Sequence, residues 1–256
     1  EEGQRRFGLW GAVQGAGLVT AGVCSTLFFG ENYRAAAGWT VVTYGLAALL
    51  TLFLTEPPGE TPARSERPPL RAALGWSLAH APLLVGAALF METVQFVTIF
   101  LSQLQYQRSG IPLRWFGLLY LLVTLAALTG VRSHRLTGRL GRRGGTLLLL
   151  GGSAALCLMM ALLPLPGASV LGIMGLRAAG ALFEPVSLAP QNAAAPPGGA
   201  AAQLSCNAMV MELTAAALNP AFGAAADLGT GWALLLGAAA RGRGVGLFLH
   251  GLGGVG

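Results

Sequence analysis

Residues 144–163 read GGTLLLLGGSAALCLMMALL, with no charged side chain among them. A helix of about 20 apolar residues covers the roughly 30 Å of bilayer hydrocarbon and pairs its own backbone groups, which an open strand or loop cannot do there. The rest of the chain has the same character. Of 256 residues, 54% are hydrophobic and 10% are charged, against about 25% charged in an ordinary soluble domain. That is too little charge to cover a water-facing surface. The composition predicts an all-α integral membrane protein.

Moving the same template outward from residues 144–163 predicts about eight transmembrane helices. Two precede the only long polar stretch, at 8–29 and 33–54, joined by a short turn with Glu31 and Arg34. Two more are expected at 76–103 and 116–131, with Arg108, Gly110, Pro112 and Arg114 in the loop between them. The stretch 144–163 ends at Pro164-Leu165-Pro166-Gly167, and further spans are expected at 168–189, 201–222 and 230–249. Proline and glycine punctuate helices because one lacks an N–H and the other has no conformational preference to spend. Pro82, Pro185 and Pro190 are expected to bend the spans that contain them.

The proline-rich stretch at 55–72 cannot be helical through its prolines and divides the chain. Residues 1–54 then form one helix pair and residues 73–256 a six-helix unit, with a cytoplasmic linker between. Six spans after such a linker is the pattern of one half of a transporter built from two repeats. All 16 basic residues are arginine, which with the abundance of Ala, Gly and Pro suggests a GC-rich bacterial gene. With both ends of the chain inside, twelve arginines, Arg241 and Arg243 among them, fall on the inner side, Arg34, Arg108 and Arg114 in outer loops, and Arg177 within a span. The bias fixes the expected orientation in a bacterial cytoplasmic membrane. The formal charge of +6 is then a face that meets anionic lipid, and nucleic-acid binding is not called for.

Cys24, Cys157 and Cys206 lie far apart in apolar runs and read as small core residues. His80, His134 and His250 have no second ligand at helical spacing, so neither a metal nor a cofactor is expected. The terminal run 251–256 fits G-x-G-x-x-G in form, but no strand precedes it. The chain opens Glu1-Glu2-Gly3-Gln4-Arg5-Arg6 without an initiator Met or the order of a signal peptide, as if inside something longer.

Several segments, in order, resemble the bacterial twelve-helix permeases of the major facilitator superfamily. Glu2-x-x-Arg5-Arg6-Phe7-Gly8, leading into a glycine-rich helix, is similar to the entry of the family's fifth helix, and Phe53-Leu54-Thr55-Glu56-Pro57 to the exit of its sixth. Arg139-Leu140-Gly141-Arg142-Arg143 resembles the second copy of the family's short basic loop, a conformational element between helices eight and nine. Pro190-Gln191-Asn192 with Leu204-Ser205-x-x-x-Met209 resembles the link between helices ten and eleven, and Gly223-x-x-x-Asp227-x-Gly229 the last turn. The resemblance implies helices five to twelve, a fragment without the first four, and a secondary transporter whose activity belongs to the longer protein.

Ionisable residues inside spans are costly and mark functional sites by default. Glu92, Gln95, Ile99 and Gln103 fall close to one helical face at 100° per residue. In the resembled fold this helix borders the central cavity, so Glu92 is a candidate for proton exchange or cation binding, with Gln95 and Gln103 as partners. The alternative is a protonated Glu92 that ties two helices together. Arg177, Glu184 and Gln191 repeat every seven residues, as do Ser205, Glu212 and Asn219. Arg177 and Glu184 are read as an ion pair, gating or structural, and Glu212 as a third protonation candidate. Gly11, Gly15 and Gly22 are read as a surface for close helix packing.

The function expected is therefore transport of a small organic or drug-like solute through the bilayer, uptake or efflux, with protons as the candidate coupling ion. Two other readings stay open: a truncated membrane module that needs a partner, and an integral membrane enzyme. The second would need His, Asp or Glu clustered at one membrane surface, and no such cluster is visible. Without lysine there is no Walker motif for an ATP-driven pump.

Overall fold

The computed structural model describes residues 13, 16, 17, 20, 33–53, 70–193, 195 and 199–253. Most of the expected first span, Gly11, Gly15 and Gly22, the basic entry motif and most of the proline-rich stretch lie outside the described residues. Within them, every regular element is helical. Helix α1 covers Tyr33–Thr51, α2 Leu70–Ala79 and α3 Ala81–Gln95. A π-helical segment, Phe96–Leu101, leads into α4, Ser102–Arg108. Helix α5, Phe116–Ala126, continues through a 3-10 segment, Ala127–Arg132, into α6, Ser133–Leu162. Helices α7 (Pro166–Ala193), α8 (Ala200–Leu228) and α9 (Thr230–Leu252) complete the bundle.

Four described helical stretches are long and apolar enough to cross a bilayer: Ala81–Arg108, Phe116–Leu162, Pro166–Ala193 and Thr230–Leu252. The difference from the expected count has identifiable causes. The spans expected at 116–131 and 144–163 arrive as one helical stretch of 47 residues, broken at Gly141, where φ is +69° and ψ 168°. Only glycine takes that conformation without strain. A Cβ built on Gly145 would lie 3.8 Å from the side chains of Leu136 and Thr137. Residues nine apart on a straight helix are separated by roughly 13 Å, so the chain folds back on itself at Gly141 and forms two segments. Helix α8 forms where a span was expected, but Gln203, Asn207, Glu212 and Asn219 make it too polar to count among the four.

Prolines stand both at helix starts and inside helices. The span expected at 76–103 is broken at His80, whose φ of −104° and ψ of 20° end α2, and Pro82 sits in the first turn of α3. Its missing N–H is one of the orphans of a helix start. His80 stacks on Trp76 at 4.1 Å between ring centroids. Pro166 opens α7 after the helix before it ends at Leu162, as the Pro164-Leu165-Pro166-Gly167 punctuation predicts. Pro185 and Pro190 are carried inside α7 and Pro220 inside α8.

Helix α9 is the wedge of the bundle, packed against α3, α6 and α8. A Cβ on Gly86 of α3 would lie 2.6 Å from the backbone nitrogen of Phe248 and 2.9 Å from the carbonyl oxygen of Gly244. Lipid tails are as apolar as leucine, so helices in a bilayer associate through such close backbone approach rather than by expelling water. Two apolar clusters fill the bundle. One gathers Leu83, Phe90, Val94, Leu150, Phe183 and Phe248, with the Phe183 ring 4.4 Å from Phe90 and 5.0 Å from Phe248. The other gathers Val97, Leu101, Cys157, Met160, Ile173 and Phe222.

Gly86→Ala should lower the thermal midpoint of the detergent-solubilised protein, by an overpacking cost of about 1–3 kcal/mol. Gly151→Ala, where a Cβ would meet nothing within 4 Å, should leave it unchanged or raise it through helix propensity.

Candidate functional site

Glu92 stands on α3, one turn before the π-helical segment, and is half-buried. Its carboxylate lies near the side chains of Asn219 and Glu212 on α8, close enough to Glu212 for their charges to interact. Two polar stripes that the sequence shows separately, on the spans expected at 76–103 and 201–222, thus meet across the α3–α8 contact. The two carboxylates and one amide form a small polar group that opens on an exposed side of the bundle, since Glu212 and Asn219 are both exposed. A π-helical turn beside it is informative, because such turns interrupt α-helices mostly at functional sites.

The other members of the first stripe are not drawn into this group. Gln95 and Gln103 are exposed and make no side-chain hydrogen bond to a described residue. The i→i+5 ladder of Phe96–Leu101 lies between them and alters the 100° phase on which the shared face was read. Gln105 is the buried glutamine of this segment instead. Its Nε2 donates to Oγ of Ser169 at 2.9 Å and to the carbonyl of Met160 at 3.3 Å. Arg108, expected in an outer loop, ends α4 and donates to the carbonyl of Ala161 at 2.9 Å and of Met160 at 3.3 Å. Those carbonyls belong to the last turn of α6, where helical partners run out. Arg108 therefore caps α6 from a neighbouring helix, and Gln105 ties the same end to α7.

Arg177, Glu184 and Gln191 are not brought together. Arg177 is half-buried, Glu184 exposed and Gln191 buried, and no ion pair between Arg177 and Glu184 is formed. A seven-residue repeat drifts about 20° per heptad on a straight helix, and Pro185 and Pro190 lie within the interval. Gln191 instead joins a buried network that the sequence reading did not assemble. Its Oε1 accepts from Nδ2 of Asn207 at 3.2 Å. Ser77 Oγ donates to Oδ1 of Asn207 at 2.7 Å, and Gln203 Nε2 donates to the same oxygen at 3.0 Å. Gln203 also reaches the carbonyl of Ala73 at 3.2 Å. The network fastens α2 and α7 to α8. Its sequence signal is the i, i+4 pair Gln203 and Asn207, two amides on one helical face.

The basic motif Arg139-Leu140-Gly141-Arg142-Arg143 occupies the fold-back at Gly141, with all four arginine and leucine neighbours of that glycine exposed. Glycine is what lets the chain reverse there. Arg241 and Arg243, the pair that makes the span at 230–249 costly, separate in behaviour. Arg243 is exposed, whereas Arg241 is fully buried at the middle of α9. None of its three guanidinium nitrogens has a hydrogen-bond partner among the described residues. It lies against the face of Phe90, with Cζ 4.8 Å from the ring centroid, a cation–π interaction of about 2 kcal/mol when desolvated. Cys157 is the ionisable neighbour.

Two consequences are measurable. Arg241→Met should raise the thermal midpoint in detergent, because an arginine at a helix centre costs roughly 2.5–3.5 kcal/mol and this one recovers little. Asn207→Leu should lower it, since Gln191 Oε1 would lose its buried donor, at about 1–3 kcal/mol for an orphaned group, while Gln203 and Ser77 keep each other and the Ala73 carbonyl.

The sequence profile of the Major Facilitator Superfamily matches residues 1–211. No curated protein and no solved structure matches the chain. The profile takes in α1 to α7 and the first part of α8, with Glu92, the fold-back at Gly141 and the Gln191–Asn207 network. An all-helical bundle with polar groups held between apolar helices is the architecture such a sequence requires. The chain belongs to the Major Facilitator Superfamily, whose members are multi-pass membrane transporters.

Proposed function

We propose that this bundle serves a secondary active transporter that moves a small organic or drug-like solute across a bacterial cytoplasmic membrane, with proton movement coupled through Glu92. The observation that carries the reading is the meeting of Glu92 with Asn219 and Glu212 across α3 and α8. Two carboxylates that interact cannot both stay ionised at low cost in a poorly solvated place. Proton uptake by one of them changes the charge between two helices, and hence the relative stability of arrangements in which those helices stand apart or together. Asn219 offers both a donor and an acceptor, so it can hold Glu92 in either protonation state.

The proposed division remains that of two halves, residues 1–54 contributing to one and 73–256 forming the other, joined through 55–72. In a fold of two repeats, the halves rock about a site near the midplane. The arginine bias supports both ends of this chain facing the cytoplasm. Gln95, exposed beside Glu92, is a candidate contact for the solute, and Arg177, Glu184 and Gln103 are candidates for lining its path. The fold-back at Gly141, with Arg139, Arg142 and Arg143, is proposed as the conformational loop.

Glu92→Gln keeps the shape and a polar side chain beside Asn219 while removing the titratable proton. In proteoliposomes of the full-length protein, solute-driven proton flux read by an internal pH dye should fall to that of empty vesicles. Proton flux equal to the wild type would remove Glu92 from the mechanism.

A further inference from the structure

Where the 3-10 segment Ala127–Arg132, packed against α7, enters α6, the bundle opens into a recess of about 640 Å³. Its walls are Arg132, Arg135 and Arg139 together with Thr129, Leu136 and Leu182. Above it the packing is tight: a Cβ on Gly130 would lie 2.8 Å from the carbonyl oxygen of Ala181. The recess begins where that contact ends.

The three arginines are spaced three and four residues apart, so they share one face of the helix. All three are exposed, and none makes a hydrogen bond or ion pair to a described residue. Among the described residues no carboxylate lines the recess. Three guanidinium groups converging without an acid is a repulsive arrangement that an anion would relieve, and each presents the planar fork that fits phosphate oxygens in pairs.

The remaining walls narrow the anion. Leu136 and Leu182 are half-buried and Leu140, also in the wall, is exposed, so the same recess offers an apolar surface directly beside the charges. A free phosphate ion would gain nothing from it. The position is equally telling: the apolar helix 116–131 ends at Arg132, which places the arginines at the depth where headgroups lie and the leucines toward the acyl chains. We propose that this recess is a binding site for one anionic glycerophospholipid, its phosphodiester held by Arg132, Arg135 and Arg139 and its first acyl carbons laid against Leu136, Leu140 and Leu182. A lipid bound there bridges α6 and α7 beside the fold-back at Gly141.

The test uses the purified chain in neutral detergent, with phosphatidylglycerol, phosphatidylcholine or soluble glycerophosphate added, and reads thermal midpoint together with retained lipid by native mass spectrometry. The wild type should retain phosphatidylglycerol in preference to phosphatidylcholine and be stabilised by it. The triple variant Arg132→Gln, Arg135→Gln, Arg139→Gln should lose both effects, with affinity lower by about tenfold or more. Arg142→Gln with Arg143→Gln, which removes charge next to the recess but outside its walls, should behave as the wild type. Arg135→Gln alone gives an intermediate loss and keeps the test open if the triple variant folds poorly. Equal loss in the Arg142 and Arg143 variant would show diffuse charge attraction and overturn the site. Equal stabilisation by phosphatidylcholine, or by glycerophosphate without acyl chains, would overturn the lipid as its occupant.

Discussion

The bundle depends on the close approach of α9 to α3. In a bilayer nothing is gained by moving an apolar side chain from lipid to protein, so helices hold together through dense contact and through polar groups that have no water to turn to. Gly86 and Gly251 let α9 come within backbone distance of α3, at sites where a Cβ would overlap Phe248 and Leu83. That contact brings Phe248 onto Phe183 and Phe183 onto Phe90, and it carries Arg241 into the seam between the two apolar clusters. An arginine so placed cannot reach water along its own helix, and the Phe90 face is the compensation that packing among the described residues gives it.

Polar side chains do the complementary work of fixing which helices are neighbours. The amides of Gln191, Gln203 and Asn207 and the hydroxyl of Ser77 satisfy one another, so the network specifies the arrangement of α2, α7 and α8 rather than merely tolerating it. Gln105 and Arg108 do the same at the far end of α6 by supplying donors to its last carbonyls. Glu92 differs from both groups. It is half-buried, faces a second carboxylate, and has an exposed amide as partner, which is an arrangement suited to changing charge rather than to holding a fixed contact.

Much of this was legible from residue order. The uncharged stretch 144–163, the proline break after it and the glycine within Arg139-Leu140-Gly141-Arg142-Arg143 each correspond to a feature of the fold, because backbone satisfaction, a missing N–H and a positive φ are local requirements. Glu92 and Glu212 could be singled out from the cost of an ionisable group among apolar neighbours. Their meeting could not, since it depends on the crossing of α3 and α8. The shared face of Glu92 and Gln103 assumed an unbroken α-helix, and a π-helical segment has no reliable signature in Phe-Val-Thr-Ile-Phe-Leu.

The sequence by itself determined that the chain is a helical membrane protein, that a helix ends before Pro164-Leu165-Pro166-Gly167, and which few polar residues must be accounted for. These follow from transfer cost and backbone chemistry, which act within a segment. Only the tertiary structure decided which polar residues find each other: Gln191 with Asn207 rather than with Arg177 and Glu184, Gln105 rather than Gln103 in the interior, and Arg241 against Phe90 rather than at the membrane surface. Those outcomes rest on how separate helices cross, at close contacts as distant in the chain as Gly86 with Phe248, and a crossing between helices leaves no periodicity in a single chain to read.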